Sequence, residues 1–129
     1  MNTSRTLATA ATALGGILAG ANATRLVLEM PALGRLGPQI WGDYSRNADL
    51  SLRGAAFYPP VAIGHAALSI AAAVALANDR RARGPAVMAA ILSLGGLALT
   101  FKAAPFMLSV RHLENDAPAL ERARRGFNY

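Results

Sequence analysis

Residues 85–108 read PAVMAAILSLGGLALTFKAAPFML, a stretch whose one charged side chain is Lys102. A run of about 20 apolar residues is long enough to cross the hydrocarbon core of a bilayer as a helix. Pro85 suits the first helical turn, where a missing amide donor costs little, and Pro105 should kink or end the helix. The sequence therefore predicts a membrane-spanning helix over residues 85–108.

Two further apolar runs of spanning length precede it, at residues 6–28 and 57–77. The run at 6–28 is too long for a signal-peptide core and is followed by charged residues, so we interpret it as a retained helix. Pro59 and Pro60 are expected in the first turn of the helix at 57–77. A soluble all-α domain would need polar faces that these runs mostly lack. We predict an all-α transmembrane helical bundle with three visible spans, forming a single membrane domain over 1–129.

Residues 29–56 join the first two spans and are too many for a tight turn. Apolar residues recur there every four positions, which is typical of one face of a helix. They are Ile40, Tyr44, Ala48 and Leu52. We predict an amphipathic helix that starts near Pro38 and lies at the membrane surface, with Trp41 and Tyr44 at the interface. The same helix would serve as a lid if a site lay beneath it inside the bundle.

The net charge of +6 comes from twelve arginines and one lysine against seven acids. Most of the basic residues fall in loops and ends, including the polar segment 109–129, where Pro118 could open a short helix. They would meet anionic lipid headgroups there. The sequence has no pattern of interleaved basic and aromatic residues, so nucleic acid is not predicted as a partner. The lack of cysteine excludes disulfides and thiolate metal sites.

Orientation is predicted from the short connection 78–84, which carries Arg80, Arg81 and Arg83. A short loop dense in arginine is expected in the cytoplasm, which would place this connection there. The total number of arginines is larger on the other face, and that count favours the opposite orientation. We expect an integral protein of a bacterial inner (plasma) membrane with a cytoplasmic N-terminus.

Polar side chains inside or near the spans predict a site. Because successive spanning helices run in opposite directions, these side chains fall at a similar depth in the same leaflet. Ionisable groups within spans usually face the bundle interior. In α-helical geometry Asn22, Arg25 and Glu29 share one face of the first helix, His65 and Ser69 share one face of the second, and Lys102 lies in the third. We predict a polar pocket of these groups, covered by Trp41 and Tyr44.

Each of these residues also has a purely structural interpretation. Lys102 can extend to the headgroups, and Arg25 and Glu29 can pair with each other. Asn22 can join neighbouring helices by a hydrogen bond, and His65 can make a structural hydrogen bond of the same kind. The two histidines are too few for a convincing metal site, so no metal is expected.

Two longer motifs carry a family resemblance: LEMPALGRLGPQIWGDY at residues 28–44 and KAAPFMLSVRHLEND at residues 102–116. With the proline that leads the second helix, they resemble the anthrone-oxygenase-like family of small four-helix membrane proteins. The matching positions are Pro31, Trp41, Tyr44, Pro59, Pro105, Phe106, Asn115 and Leu120. The family's fourth helix is absent, so the resemblance implies that a membrane-protein partner, a second copy or further chain completes the bundle.

The resemblance implies oxidation of a lipophilic aromatic compound without a metal or organic cofactor. Such chemistry needs a base to remove a proton from an acidic C–H. From the residues we assign that role to His65, and the stabilisation of the enolate oxygen to Lys102 or Arg25. The substrate pocket would comprise Asn22, Glu29, Trp41 and Tyr44. The alternative is a non-catalytic membrane subunit or scaffold that stabilises a larger complex.

Overall fold

The computed structural model describes residues 3–128, and this part of the chain is all-α, with no strand. The helices are α1 (Thr3–Thr24), a π-helical turn (Arg25–Glu29), α2 (Met30–Leu36), α3 (Pro38–Asn47), α4 (Leu52–Ala75), α5 (Arg83–Ser109) and α6 (Ala117–Asn128). Three helical stretches are long and apolar enough to cross a membrane: Thr3–Leu36, Leu52–Ala75 and Arg83–Ser109. The predicted fold class, an all-α bundle with three spanning helices, is confirmed.

The first spanning stretch continues beyond the predicted end at residue 28, to Leu36. Pro31 has no amide hydrogen, and its ring presses on the carbonyl four residues earlier, so a regular α-helix is disturbed just before it. The chain responds with the π turn over Arg25–Glu29 and then resumes as α2. Gly37 ends α2 with a φ of 96°, a conformation that favours glycine, and Pro38 follows as the first residue of α3.

The predicted interfacial segment is therefore divided between several elements. The amphipathic helix begins at Pro38, but α3 ends at Asn47, and Leu52 already belongs to α4. The hydroxyl of Ser51 accepts a hydrogen bond from the amide of Gly54 at 3.1 Å, the contact that an N-cap serine makes. Because this cap starts α4 early, Pro59 and Pro60 lie inside the helix and beyond its first turn.

The contacts divide the chain into two compact units. The first unit contains the described residues up to Gly20 together with Pro59–Ala98. The second unit contains Ala21–Tyr58 together with the described residues from Leu99 onward.

Small residues form the interior of the first unit. Its buried side chains on α4 recur at helical spacing: Ala62, Ala66, Ser69 and Ala72. Ala11 of α1 and Ala90 and Ser93 of α5 are also buried. Large apolar residues such as Ile63, Ile70 and Leu92 are exposed instead. Small residues allow helix backbones to approach closely, which is how helices associate in lipid.

Large side chains form the core of the second unit. Trp41 of α3 is 0% exposed and packs with Leu33, Met107, Val110, Leu120 and Ala123. The ring of Phe127 lies 6.4 Å from that of Trp41, centroid to centroid. Arg46 donates hydrogen bonds to the carbonyl of Leu113 at 2.9 Å and to the side chain of Asn115 at 3.2 Å. These contacts hold α3 against α6 and the end of α5.

Candidate functional site

The candidate site is a cavity of about 330 Å³ within the first unit. That volume lies at the lower end of the range of roughly 300–1,000 Å³ found for small-molecule sites. Its lining is mostly apolar and comes from α1, α4, the connection after α4 and the start of α5: Ala8, Ala11, Thr12, Gly15, His65, Ser69, Ala72, Leu76, Ala82, Pro85, Ala86 and Ala89. Because half of these residues are alanine, the helices leave space between them that larger side chains would fill.

His65 is the one ionisable side chain of this lining. Its Nδ1 lies 3.1 Å from the backbone carbonyl oxygen of Ala11. A carbonyl oxygen only accepts hydrogen bonds, so Nδ1 must carry the proton and donate it. In the neutral imidazole the lone pair is then on Nε2, the nitrogen that could accept a proton.

Gly15 makes room for the imidazole. A Cβ atom at Gly15 would lie 2.7 Å from Cε1 of His65, closer than real Cβ atoms approach a neighbour. The ring therefore packs directly on the backbone of α1, where it reaches the carbonyl of Ala11, one turn earlier. A Cβ atom at the neighbouring Gly16 would have no atom within 4 Å. Nothing in the local sequence pattern distinguishes Gly15 from Gly16 or indicates that Gly15 shapes the site.

Ser69 lies one helical turn after His65 and is 2% exposed. Its hydroxyl makes no hydrogen bond to any of the residues that the structure describes. A buried hydroxyl without a partner costs roughly 1–3 kcal/mol. The other hydroxyl of the lining differs, because Thr12 donates to the carbonyl of Ala8 at 2.9 Å. The shared face of His65 and Ser69 was predicted from their spacing, but no catalytic or substrate-binding role was assigned to Ser69.

The remaining predicted site residues belong to the second unit. Arg25 binds Asp49 with two parallel hydrogen bonds, of 2.6 and 2.5 Å. Its guanidinium carbon also lies 5.1 Å from the ring centroid of Phe127. Arg25 pairs with Asp49 and not with Glu29, and nothing in the local spacing signals Asp49 as the partner.

Glu29 instead accepts a hydrogen bond of 2.8 Å from the hydroxyl of Tyr44. Burial and this hydrogen bond raise the pKa of Tyr44 to about 12. The structure therefore brings together two residues of the predicted substrate pocket. Trp41, expected at the interface, is wholly buried in the core of the second unit, because α6 covers it. The side chains of Asn22 and Lys102 are exposed.

Within residues 3–128, no group of three or more histidine, aspartate or glutamate side chains is placed to hold a metal ion. Comparison with known proteins adds no assignment, since no family model, curated protein or solved structure matches this sequence.

Proposed function

We propose that the first unit binds a lipophilic aromatic compound in its cavity and oxidises it with molecular oxygen, using His65 as the base. One observation carries the proposal: His65 lines an apolar cavity with Nδ1–H bound to Ala11, which leaves Nε2 as its proton acceptor. A general base with a fixed tautomer is what proton removal from an acidic C–H requires.

The reaction balances without any further reagent. Nε2 of His65 takes a proton from a methylene carbon beside the aromatic rings, and the carbanion reduces oxygen to form a carbon–oxygen bond. The proton returns to the distal peroxide oxygen, giving a hydroperoxide. Loss of water then leaves a carbonyl, so that one methylene group and one molecule of oxygen become one carbonyl group and one molecule of water. The protein supplies the base and an apolar site that excludes water.

The enolate oxygen needs a stabilising group, which the sequence assigned to Lys102 or Arg25. That assignment stays a prediction. Arg25 is engaged by Asp49 through both terminal nitrogens, and a guanidinium held in this way has less freedom to bind a substrate oxygen. The family resemblance, the lack of a cofactor and the lipid bilayer as surroundings belong to the same proposal.

The test uses the full chain in lipid nanodiscs with anthrone as the probe, following oxygen uptake and the absorbance of the quinone. We expect the wild type to accelerate oxidation over protein-free nanodiscs. His65→Ala should lose about 100-fold or more of that acceleration, the usual contribution of a general base. The chain has two histidines, so His112→Ala, at an exposed position of the second unit, is the matched control and should keep full activity.

Far-UV circular dichroism of His65→Ala must match that of the wild type, because a misfolded variant would also be inactive. His65→Phe repeats the test with the bulk of the ring retained. An unaccelerated wild type, or a His65→Ala variant with full activity, contradicts the proposal.

A non-catalytic membrane subunit is the second candidate. It is favoured by exposed glycines at which a Cβ would meet open space, Gly16 and Gly95 among them. Such positions suit close contact with a partner helix or a second copy of the chain. Absence of oxidation together with stoichiometric co-purification of a membrane protein would favour this function over the enzyme.

For location we propose a bacterial inner membrane with a cytoplasmic N-terminus. The support is the arginine-rich turn between α4 and α5, with Arg80, Arg81 and Arg83. In intact cells Ala82→Cys should resist a membrane-impermeant maleimide. Ready labelling would reverse the orientation.

A further inference from the structure

The cavity of the first unit offers a ligand very few polar contacts. Of its lining residues, Thr12, His65 and Ser69 carry polar side-chain atoms, and the others are glycine, alanine, leucine and proline. The backbone groups of α1, α4 and α5 are largely used by helical hydrogen bonds. Hydrogen bonding to a ligand therefore depends largely on those three side chains.

Two of the three donors are already engaged. The hydroxyl of Thr12 donates to the carbonyl of Ala8 at 2.9 Å. Nδ1–H of His65 donates to the carbonyl of Ala11 at 3.1 Å. Within the described part of the chain, Ser69 is the lining side chain whose hydroxyl has no hydrogen-bond partner, and it is 2% exposed. The hydroxyl of Ser69 is thus the donor that the cavity can offer to a ligand.

We propose that Ser69 donates a hydrogen bond to a carbonyl oxygen of the bound compound, so that the cavity takes apolar ring compounds bearing such an oxygen. The inference rests on the proposed function for its site, and it names the class of ligand. A carbonyl accepts the free hydroxyl proton, while a hydrocarbon of the same shape leaves it unpaired.

The position of Ser69 also fits the chemistry. It lies four residues after His65, and side chains at this spacing are neighbours on one helix face. When His65 removes the proton, negative charge develops on the carbonyl oxygen of the substrate. A hydroxyl that donates to that oxygen stabilises the enolate more than the neutral ketone, which lowers the barrier. Ser69 would thus supply enolate stabilisation from within the first unit.

The binding test uses fluorenone and fluorene, which share a ring frame and differ in the carbonyl oxygen. Equilibrium dialysis against wild-type nanodiscs, done under nitrogen so that the methylene group of fluorene is not oxidised and corrected for protein-free nanodiscs, should show tighter binding of fluorenone. Ser69→Ala should weaken fluorenone binding about tenfold, the effect of one lost hydrogen bond, and leave fluorene unchanged. Ser93→Ala is the matched control, because Ser93 is a buried serine of the same unit whose hydroxyl donates to Ala90 at 2.9 Å.

Equal weakening of both ligands by Ser69→Ala would show a structural role and overturn the inference. So would a wild type that binds the two ligands equally. Fluorenone has no acidic methylene, so its binding does not depend on oxidation. Carbonyl-selective binding without oxidation of anthrone would therefore overturn the proposed function and leave the Ser69 assignment standing. Oxidation that requires His65 but is unchanged in Ser69→Ala would overturn the Ser69 assignment and leave the proposed function standing.

Discussion

The two units of this protein are packed in opposite ways. In the first, each buried side chain among the described residues is an alanine or a serine, and large residues such as Ile91 and Leu92 are exposed. In the second, Trp41, Leu120 and Val110 are completely buried. Lipid solvates large apolar side chains as well as a protein core does, so close backbone approach holds helices together there. A large buried core is the arrangement favoured by water.

This difference predicts opposite sensitivities to mutation. Removing atoms should damage the second unit, because its core is filled by large side chains that leave a cavity behind. Adding atoms should damage the first unit, because its helices contact each other through residues with little or no side chain. The largest expected effect concerns truncation in the second unit.

Trp41→Ala should lower the free energy of unfolding of the second unit by about 3–5 kcal/mol in detergent micelles. The side chain is 0% exposed, so its loss leaves a void among Leu33, Met107 and Leu120. The chain has no cysteine, so an Ala123→Cys reporter placed in this core can measure opening by its rate of thiol labelling.

Phe101→Ala is the control, because Phe101 belongs to the same unit and is 63% exposed. It should change the labelling rate by less than the equivalent of about 0.5 kcal/mol. Equal effects of the two substitutions would remove the contrast between the units.

Gly15→Ala tests the opposite sensitivity in the first unit. The new Cβ would lie 2.7 Å from Cε1 of His65, so the ring must move away from the carbonyl of Ala11. We expect a loss of stability of about 1–3 kcal/mol, the usual cost of overpacking, and reduced oxidation of anthrone.

Gly16→Ala is the matched variant, since it makes the same gain in helix propensity and meets open space. It should be neutral or slightly stabilising in detergent. If both variants behave alike by thermal unfolding and in the oxidation assay, Gly15 does not position the imidazole.

The same contrast explains what sequence could predict. The three spans follow from hydrophobic length, which is a local property. The common face of His65 and Ser69 also follows from local spacing along one helix. Burial of Trp41 does not, because it depends on contact with Leu120 and Phe127 of α6, far along the chain. The spacing of apolar residues around Trp41 in α3 fits a tryptophan at the membrane interface as well as it fits a buried one.

Arg25 shows a second limit of local spacing. Its predicted face, shared with Asn22 and Glu29, assumes regular α-helical geometry. The π turn over Arg25–Glu29 adds a residue to the turn and changes the relative directions of these side chains. Arg25 binds Asp49 and Glu29 binds Tyr44. The sequence contains the cause, Pro31, but not the place at which the helix would absorb it.

The smallest expected effect is a pH dependence of stability that the second unit should show and the first should not. Burial and the hydrogen bond to Glu29 raise the pKa of Tyr44 to about 12, while an unfolded chain releases this proton near pH 10. The unfolded state therefore loses the proton first, so the stability that Tyr44 contributes is complete below pH 10 and falls as the pH rises toward 12.

We expect a decrease of about 1 kcal/mol, the size of one hydrogen bond at a partly buried side chain. Denaturant midpoints of the second unit measured between about pH 8 and 12 would detect it, and Tyr44→Phe should remove this part of the decline. The first unit contains no tyrosine, so an Ala72→Cys reporter within it should show no such step, and an identical decline in both units would mean that Tyr44 is not its source.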